Sequence, residues 1–347
     1  MRDDEHDFES RFAAMNDRRK NGKANKNKGK GDRRERAPGS CGDPNKPPRD
    51  GTEAMGTVVW IGPSTCRVRG GEAITECLLP ADRRLGTIAA GDEVGFMREP
   101  LARVTSVRPR RTVLSRPDPD NPHRELVIAA NVDIVVIVAA IRSPPLRLGL
   151  LDRFLVAIQR GGAAVAICVS KIDLVPEGDR REALAALAPY AELDVPVFPC
   201  SAETGEGLDA VQAILRGRTS AFVGHSGVGK SSLANALHPV LDLATSAVSA
   251  YHGRGKHTTT ASALHVLSDG SRVVDTPGVR SFGLWAVGPA ELAGYFPELA
   301  EHNAGCRFGD CSHTHEPACG VKAAVEAGAI QKARYEAYLR ILATIDG

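Results

Sequence analysis

Residues 224–231 read GHSGVGKS, and this stretch constrains the fold more than any other part of the chain. The pattern G-x-x-x-x-G-K-S requires a strand, a glycine-rich turn and a helix in succession. Only then do backbone N–H groups and the positive helix end converge on one anion. Gly224 and Gly229 permit the turn, and His225, Ser226, Gly227 and Val228 bring amides toward phosphate. Lys230 would reach the β- and γ-phosphates, the Ser231 hydroxyl would ligate Mg²⁺, and Ser232 continues the cradle into the helix. The motif comes late, with about two-thirds of the 347 residues ahead of it.

A chain of this length exceeds one ordinary core, so two or three domains are expected. Hydrophobic and charged shares of 42% and 25% fit a soluble globular protein. The most apolar run, VIAANVDIVVIVAAI, is too short for a membrane span and carries Asn131 and Asp133, so a buried strand fits it better. The first residues, MRDDEHDFES, lack the apolar centre of a secretion signal. Eight cysteines in so long a chain do not read as a disulfide framework, and three of them cluster with histidines. A cytoplasmic protein with no membrane partner, acting as a monomer, is the expectation.

Four regions follow from the pattern. Residues 1–53 have little apolar periodicity and read as a disordered basic tail, either solubilising or an arm for nucleic acid. Between Arg18 and Arg36, ten basic residues face only Asp32 and Glu35. Residues 54–117 hold five short β-type runs, which predict an OB-type barrel with an SH3-like barrel as the alternative. Nine arginines between Arg67 and Arg111 make this region basic, as either a solvated face or an RNA-facing one. Residues 122–285 alternate strand and helix, the sign of an α/β domain with a largely parallel sheet. Residues 286–347 read as helices flanking a Cys/His cluster.

Two further motifs fall at predicted strand ends. SKID holds Ser170, Lys171, Ile172 and Asp173. The Asp173 carboxylate can accept two hydrogen bonds from guanine N1–H and its exocyclic amine, a donor pair that adenine lacks. The Lys171 stem could lie along the base. In CSAETGEG, Ser201 and Ala202 would bring a backbone N–H toward guanine O6. DTPG supplies Asp275 for Mg²⁺ support and Gly278 for a γ-phosphate contact, although alone it could be an ordinary turn. Ras-like GTPases run phosphate loop, switch threonine, DxxG, NKxD, SA. This chain runs SKID, SA, phosphate loop, threonines, DTPG, which is the same cycle opened elsewhere. Residues 216–219 suffice for the new join, because chain ends often lie close together.

Near the end, CRFGDCSHTHEPAC sets Cys306, Cys311, His313 and Cys319 at C-x4-C-x-H-x5-C. Four such ligands suit tetrahedral Zn²⁺ with no open position, hence a structural metal. His315 is a spare donor, and a redox role is the alternative.

A circularly permuted P-loop GTPase domain, preceded by a small basic barrel and followed by such a cluster, resembles the ribosome small subunit-dependent GTPases of late small-subunit assembly. The resemblance spans roughly residues 55–345, and GRGKHTTT at 253–260 is similar to that family's switch segment. It implies that Thr258 or Thr259 closes on Mg²⁺ and γ-phosphate, that the four Cys/His positions hold zinc, and that the partner is the small ribosomal subunit with its rRNA. Ser170 departs from the Asn or Thr of the family, which implies weaker nucleotide binding. Val279, after DTPG, cannot orient water as Ras-like Gln does. Slow intrinsic hydrolysis of GTP to GDP, stimulated by the partner, is therefore expected, with His257 positioning water or else contacting only phosphate or RNA. The C-terminal module could also sit differently in the GTP and GDP states. An ATP-using P-loop enzyme, or a zinc-containing RNA-binding protein that senses nucleotide without hydrolysis, are the other readings.

Overall fold

The computed structural model describes residues 53–80, 85–98, 101–118, 121, 123–241, 243, 262–275, 284–285 and 287–345. The basic tail, apart from Glu53, lies outside them. So do Gly278, Val279 and the segment with His257, Thr258 and Thr259.

β1 (Ala54–Ile61), β2 (Thr65–Gly70), β3 (Ala73–Leu78), β4 (Glu93–Met97) and β5 (Arg103–Val107) close a barrel. Neighbours run antiparallel except β3 and β5, which meet in parallel where Leu78 opposes Arg103. That order, with β4 returning to β1, is the OB arrangement and decides against the SH3-like alternative. Along β2 the period-2 pattern is direct: Cys66 and Val68 are buried, while Arg67 points outward. They pack with Val58, Cys77, Val94, Phe96 and Val104 in the barrel core.

The barrel is not separate from the rest. The β1–β2 register slips between Val58 and Trp60, a bulge at Val59, and the ordinary alternation of the strand sends Val58 and Val59 into different cores. Val58 faces the barrel interior, and Val59 packs in the core of the α/β domain with Leu264 and Val274. Beyond the bulge, Trp60 opposes Ala263 in β12 (Ala263–Val266), so barrel and α/β domain share one eleven-stranded sheet.

A hairpin missing from the sequence expectation follows: β6 (Val113–Pro117) and β7 (Glu125–Ala130) pair antiparallel. The apolar run is thus two strands, divided at Asn131, whose φ of 55° turns the chain. The Asn131 carboxamide donates to Gly91 O at 2.9 Å and accepts from the Arg111 amide at 2.9 Å. Gly91, at φ 89°, lies where a Cβ would come within 2.1 Å of Ala130 O, so only glycine allows this close approach.

Then come β8 (Ile134–Ala140), β9 (Ala164–Ser170), β10 (Val197–Pro199), β11 (Thr219–Val223) and β13 (Arg272–Asp275). The sheet order is β10-β9-β8-β11-β13-β12, all parallel except β12, which pairs antiparallel with β13. Every residue of β8 and β9 is buried, as central parallel strands require. α1 (Leu148–Gly161) covers one face through Phe154, Leu155 and Ile158. α2 (Leu208–Leu215) and α3 (Lys230–Leu237) cover the other through Val211, Ile214, Leu233 and Leu237.

Two helical stretches are broken into pieces. DRREALAALAPYAE divides into Arg180–Leu184 and Ala188–Ala191, with Pro189 in the first turn of the second piece. The last long stretch divides into α4 (Gly320–Glu326) and α5 (Lys332–Leu342), parted by Gly328 at φ 76°. These pack with Leu292, Phe296 and Leu299 in a third core that also takes in Val156 of α1. No helix among the described residues is long and apolar enough to cross a membrane.

Candidate nucleotide site and metal centre

The parallel strands β8, β9, β10, β11 and β13 end on one edge of the sheet, where α/β folds bind ligands. Four of them deliver the motifs. β9 ends in Ser170, β10 leads to Cys200 and Ser201, β11 enters the loop 224–229, and β13 ends in Asp275.

The loop has the geometry of an anion cradle. Gly224, at φ 147°, sits where a Cβ would be 2.2 Å from Val138 O, and Gly229, at φ 90°, is the N-cap of α3. His225, Ser226 and Gly227 are exposed while Val228 is buried beneath them. The Lys230 ammonium donates to Gly224 O at 2.9 Å and to His225 O at 2.8 Å, folded across its own loop. Ser231 is partly buried and Ser232 exposed in the first turn.

SKID is bonded to this loop. The Ser170 hydroxyl donates to Val228 O at 2.6 Å, and the Lys171 ammonium to Gly227 O at 2.8 Å and to Ser143 O. Lys171 adopts φ 62°, which lets its stem cross back over the loop. Ile172 is buried and its amide donates to Cys200 O at 3.2 Å, while Asp173 is exposed. Ser201 is fully buried and its hydroxyl accepts from the amides of Glu203 and Thr204, each at 3.2 Å, which shapes the turn carrying Ala202. SKID is therefore tied to the loop 224–229 through Ser170 and Lys171. Asp275 is held above the ordinary carboxylate range by burial, with His265 pulling the other way.

Sequence reasoning missed the function of Ser170 as a tie. It weighed the side chain against asparagine only as a nucleotide contact, and the signal was its place at the end of a wholly buried strand.

Farther along, the ligand atoms of Cys306, Cys311, His313 and Cys319 lie within 4.8 Å of one another. Cys306 Sγ is 3.6 Å from His313 Nδ1 and 3.9 Å from Cys319 Sγ, and those last two are 3.4 Å apart. A tetrahedron with metal–sulfur bonds of ~2.3 Å has edges of roughly 3.5–3.8 Å, so the donor set fits a closed four-coordinate metal. His315 stays outside it, with Nδ1 2.9 Å from Thr314 Oγ1. Outer bonds steady the loop: Tyr335 donates to His313 O at 2.5 Å and Tyr338 to Ser312 O at 2.7 Å. Glu316 accepts from the amides of Ser312 and Thr314. Burial alone would raise its carboxyl, but these bonds outweigh it and bring it down to about 2.

Fold and motifs together define a circularly permuted P-loop GTPase domain, flanked by an OB-type barrel and a C-terminal Cys₃His module. Residues 107–285 match the family model described as RsgA GTPase. The chain belongs to that family of GTP-hydrolysing enzymes. It is 42% identical over 259 residues to the small ribosomal subunit biogenesis GTPase RsgA of Gemmatimonas aurantiaca, covering 73% of this chain and 83% of that one. The protein of the same name from Bacteroides fragilis is 35% identical over 277 residues, covering 78% and 89%. Among solved structures, YjeQ from Thermotoga maritima aligns with a TM-score of 0.69 at 32% identity, over 85% of this chain and 99% of that one. YloQ, described as a circularly permuted GTPase, aligns with a TM-score of 0.66 at 27% identity, over 85% and 96%.

Proposed function

We propose that this protein is a cytoplasmic GTPase that binds the small ribosomal subunit through its rRNA and assists late maturation of that subunit. The reading is carried by the hydrogen bonds from Ser170 and Lys171 to Val228 and Gly227, which join a base-recognition segment to a phosphate loop. A single nucleotide can then touch both. The names of the relatives support the ribosomal partner.

In this reading Asp173 selects guanine, Lys171 covers the base, and the Ala202 amide meets O6. Amides of residues 225–229 and the α3 N-terminus hold the phosphates, and Lys230 leaves its loop carbonyls for the β- and γ-phosphates. Ser231 and Asp275 would hold Mg²⁺, which when bound neutralises developing phosphate charge. Thr258 or Thr259 and Gly278 would close on the γ-phosphate, and His257 would position water where Val279 cannot. Zn²⁺ at Cys306, Cys311, His313 and Cys319 would hold the C-terminal module together. The protein acts as a monomer, and intrinsic turnover is slow.

Phosphate release measured with and without purified small subunits tests this. Stimulation of at least tenfold by small subunits, and none by large ones, is expected. Equal turnover in both conditions contradicts the reading. Asp173→Asn should shift preference from GTP toward xanthosine triphosphate.

A further inference from the structure

Two turns carry Asp173 and Ala202, and one side chain spans them. Asp173 sits in the single 3₁₀ turn Ile172–Leu174, where the Leu174 amide donates to Lys171 O at 3.1 Å and the Val175 amide to Ile172 O at 3.0 Å. Ala202 sits in the turn 201–206, closed by the Ser201 amide on Glu206 O at 2.9 Å and the Gly205 amide on Ser201 O at 3.0 Å. At their roots the main chain joins the two. The Cys200 amide donates to Val169 O at 2.8 Å, and the Ile172 amide to Cys200 O at 3.2 Å. Farther out, Arg180 bridges them. Its Nε donates to Val175 O at 3.2 Å and its Nη1 to Glu206 Oε1 at 2.5 Å. Arg142 donates to Leu174 O at 3.2 Å, so an arginine holds each of the first two carbonyls after Asp173.

The bridge does little for the fold. The Arg180 and Glu206 side chains keep 26% and 44% of their surface exposed, and ion pairs so exposed add little to stability. Burial of Ile172, Val175 and Cys200 already holds the roots of both turns in the domain core. What the bridge fixes is a spacing. A planar guanidinium donates along set directions, so a carbonyl and a carboxylate on the same fork cannot drift apart freely. A base lying between the turns is read by hydrogen bonds, which weaken steeply once stretched or bent.

We propose that Arg180 and Glu206 are positioning residues for base selection, holding the Asp173 turn and the Ala202 turn at the spacing that a guanine fills. The inference rests on the guanine reading above. It adds that specificity depends on a helix residue seven positions beyond Asp173 and on the second glutamate of CSAETGEG, which act through the two turns and not on the base itself.

The test measures GDP and ADP affinities by competition against mant-GDP. It uses full-length wild type, Arg180→Ala, Glu206→Ala and the double variant, with an unfolding midpoint for each. ADP can occupy the phosphate cradle but offers Asp173 no donor pair, so the ratio of the two affinities isolates the base pocket. The preference for GDP over ADP should fall about two- to tenfold in Arg180→Ala. Glu206→Ala, which leaves the bond to Val175, should lose less. The double variant should lose no more than Arg180→Ala, because the two residues act as one unit. Midpoints should stay within about 2 °C of wild type. A preference reduced less than twofold in Arg180→Ala overturns the proposal, whatever happens to the midpoint. So does a loss shared equally by GDP and ADP, or losses that add in the double variant. A wild-type protein that binds ADP as well as GDP overturns the guanine reading itself, and that result is visible before any variant is made.

Discussion

Arg334 of α5 donates to Asp152 of α1 at 2.6 Å, and both side chains are at least nine-tenths buried. This pair ties the Cys₃His module to the GTPase domain. Arg334 also reaches Glu298 at 2.7 Å and lies over the Phe296 ring, and the Tyr190 hydroxyl donates to Asp152 at 2.9 Å. Without Asp152 the Arg334 charge keeps Glu298, so the loss is that of a buried charged hydrogen bond, about 2–3 kcal/mol, and not of a stranded ion. Asp152→Ala should therefore lower the thermal midpoint by roughly 4–12 °C, read by calorimetry. Any nucleotide-driven shift of the module as a body must break this same pair.

The tie between Ser170 and Val228 predicts a different outcome. Ser170→Ala leaves Val228 O without its 2.6 Å donor in a buried setting, at a cost of about 1–2 kcal/mol. The bond holds the phosphate loop against SKID, and in the proposed reading, where SKID meets the base, much of that cost should appear in ligand affinity. GDP binding about tenfold weaker in titration calorimetry is the expected result. Unchanged affinity would mean the loop keeps its shape without the tie.

Metal removal should act on the C-terminal module first. Metal analysis is expected to find about one zinc per chain, lost in Cys311→Ala and His313→Ala but retained in His315→Ala. Chelation should melt the loop that accepts the Tyr335 and Tyr338 hydroxyls. Amide exchange across α4 and α5 would then accelerate, while α2 and α3 stay protected.

His238, just after α3, is nine-tenths buried with no partner for Nε2 among the described residues, and burial holds its pKa below the ordinary 6.5, Asp269 opposing. The unfolded chain therefore takes up the proton before the folded one does. Stability from this residue is full above pH 6.5 and is lost as pH falls through the lowered folded value. Urea midpoints from pH 7.5 down to 5 should decline less in His238→Gln than in wild type.

The placement of the motifs was legible because each is contiguous and sits at a strand end: GHSGVGKS, SKID and CSA need only local order to be recognised. The Cys₃His spacing was legible for the same reason. Hidden were features decided by distant partners. The run from Val127 to Ile141 is apolar but for Asn131 and Asp133, and it is at Asn131, which bonds Gly91 forty residues earlier, that β7 gives way to β8. Alternation puts Val58 and Val59 on opposite faces of β1, but nothing local says that the outer face is covered by a second core. Gly328, by contrast, was a visible breaker inside a stretch read as one helix, and its positive φ is what parts α4 from α5.

The bulge at Val59 has a consequence for anyone who would shorten this protein. Cutting away the first five strands would pull a valine out of the neighbouring domain's interior and leave β12 as the bare margin of the remaining sheet. Open margins of that kind recruit other chains, so the trimmed GTPase domain should clump. What looks like an appended module is also the protecting hem of its neighbour.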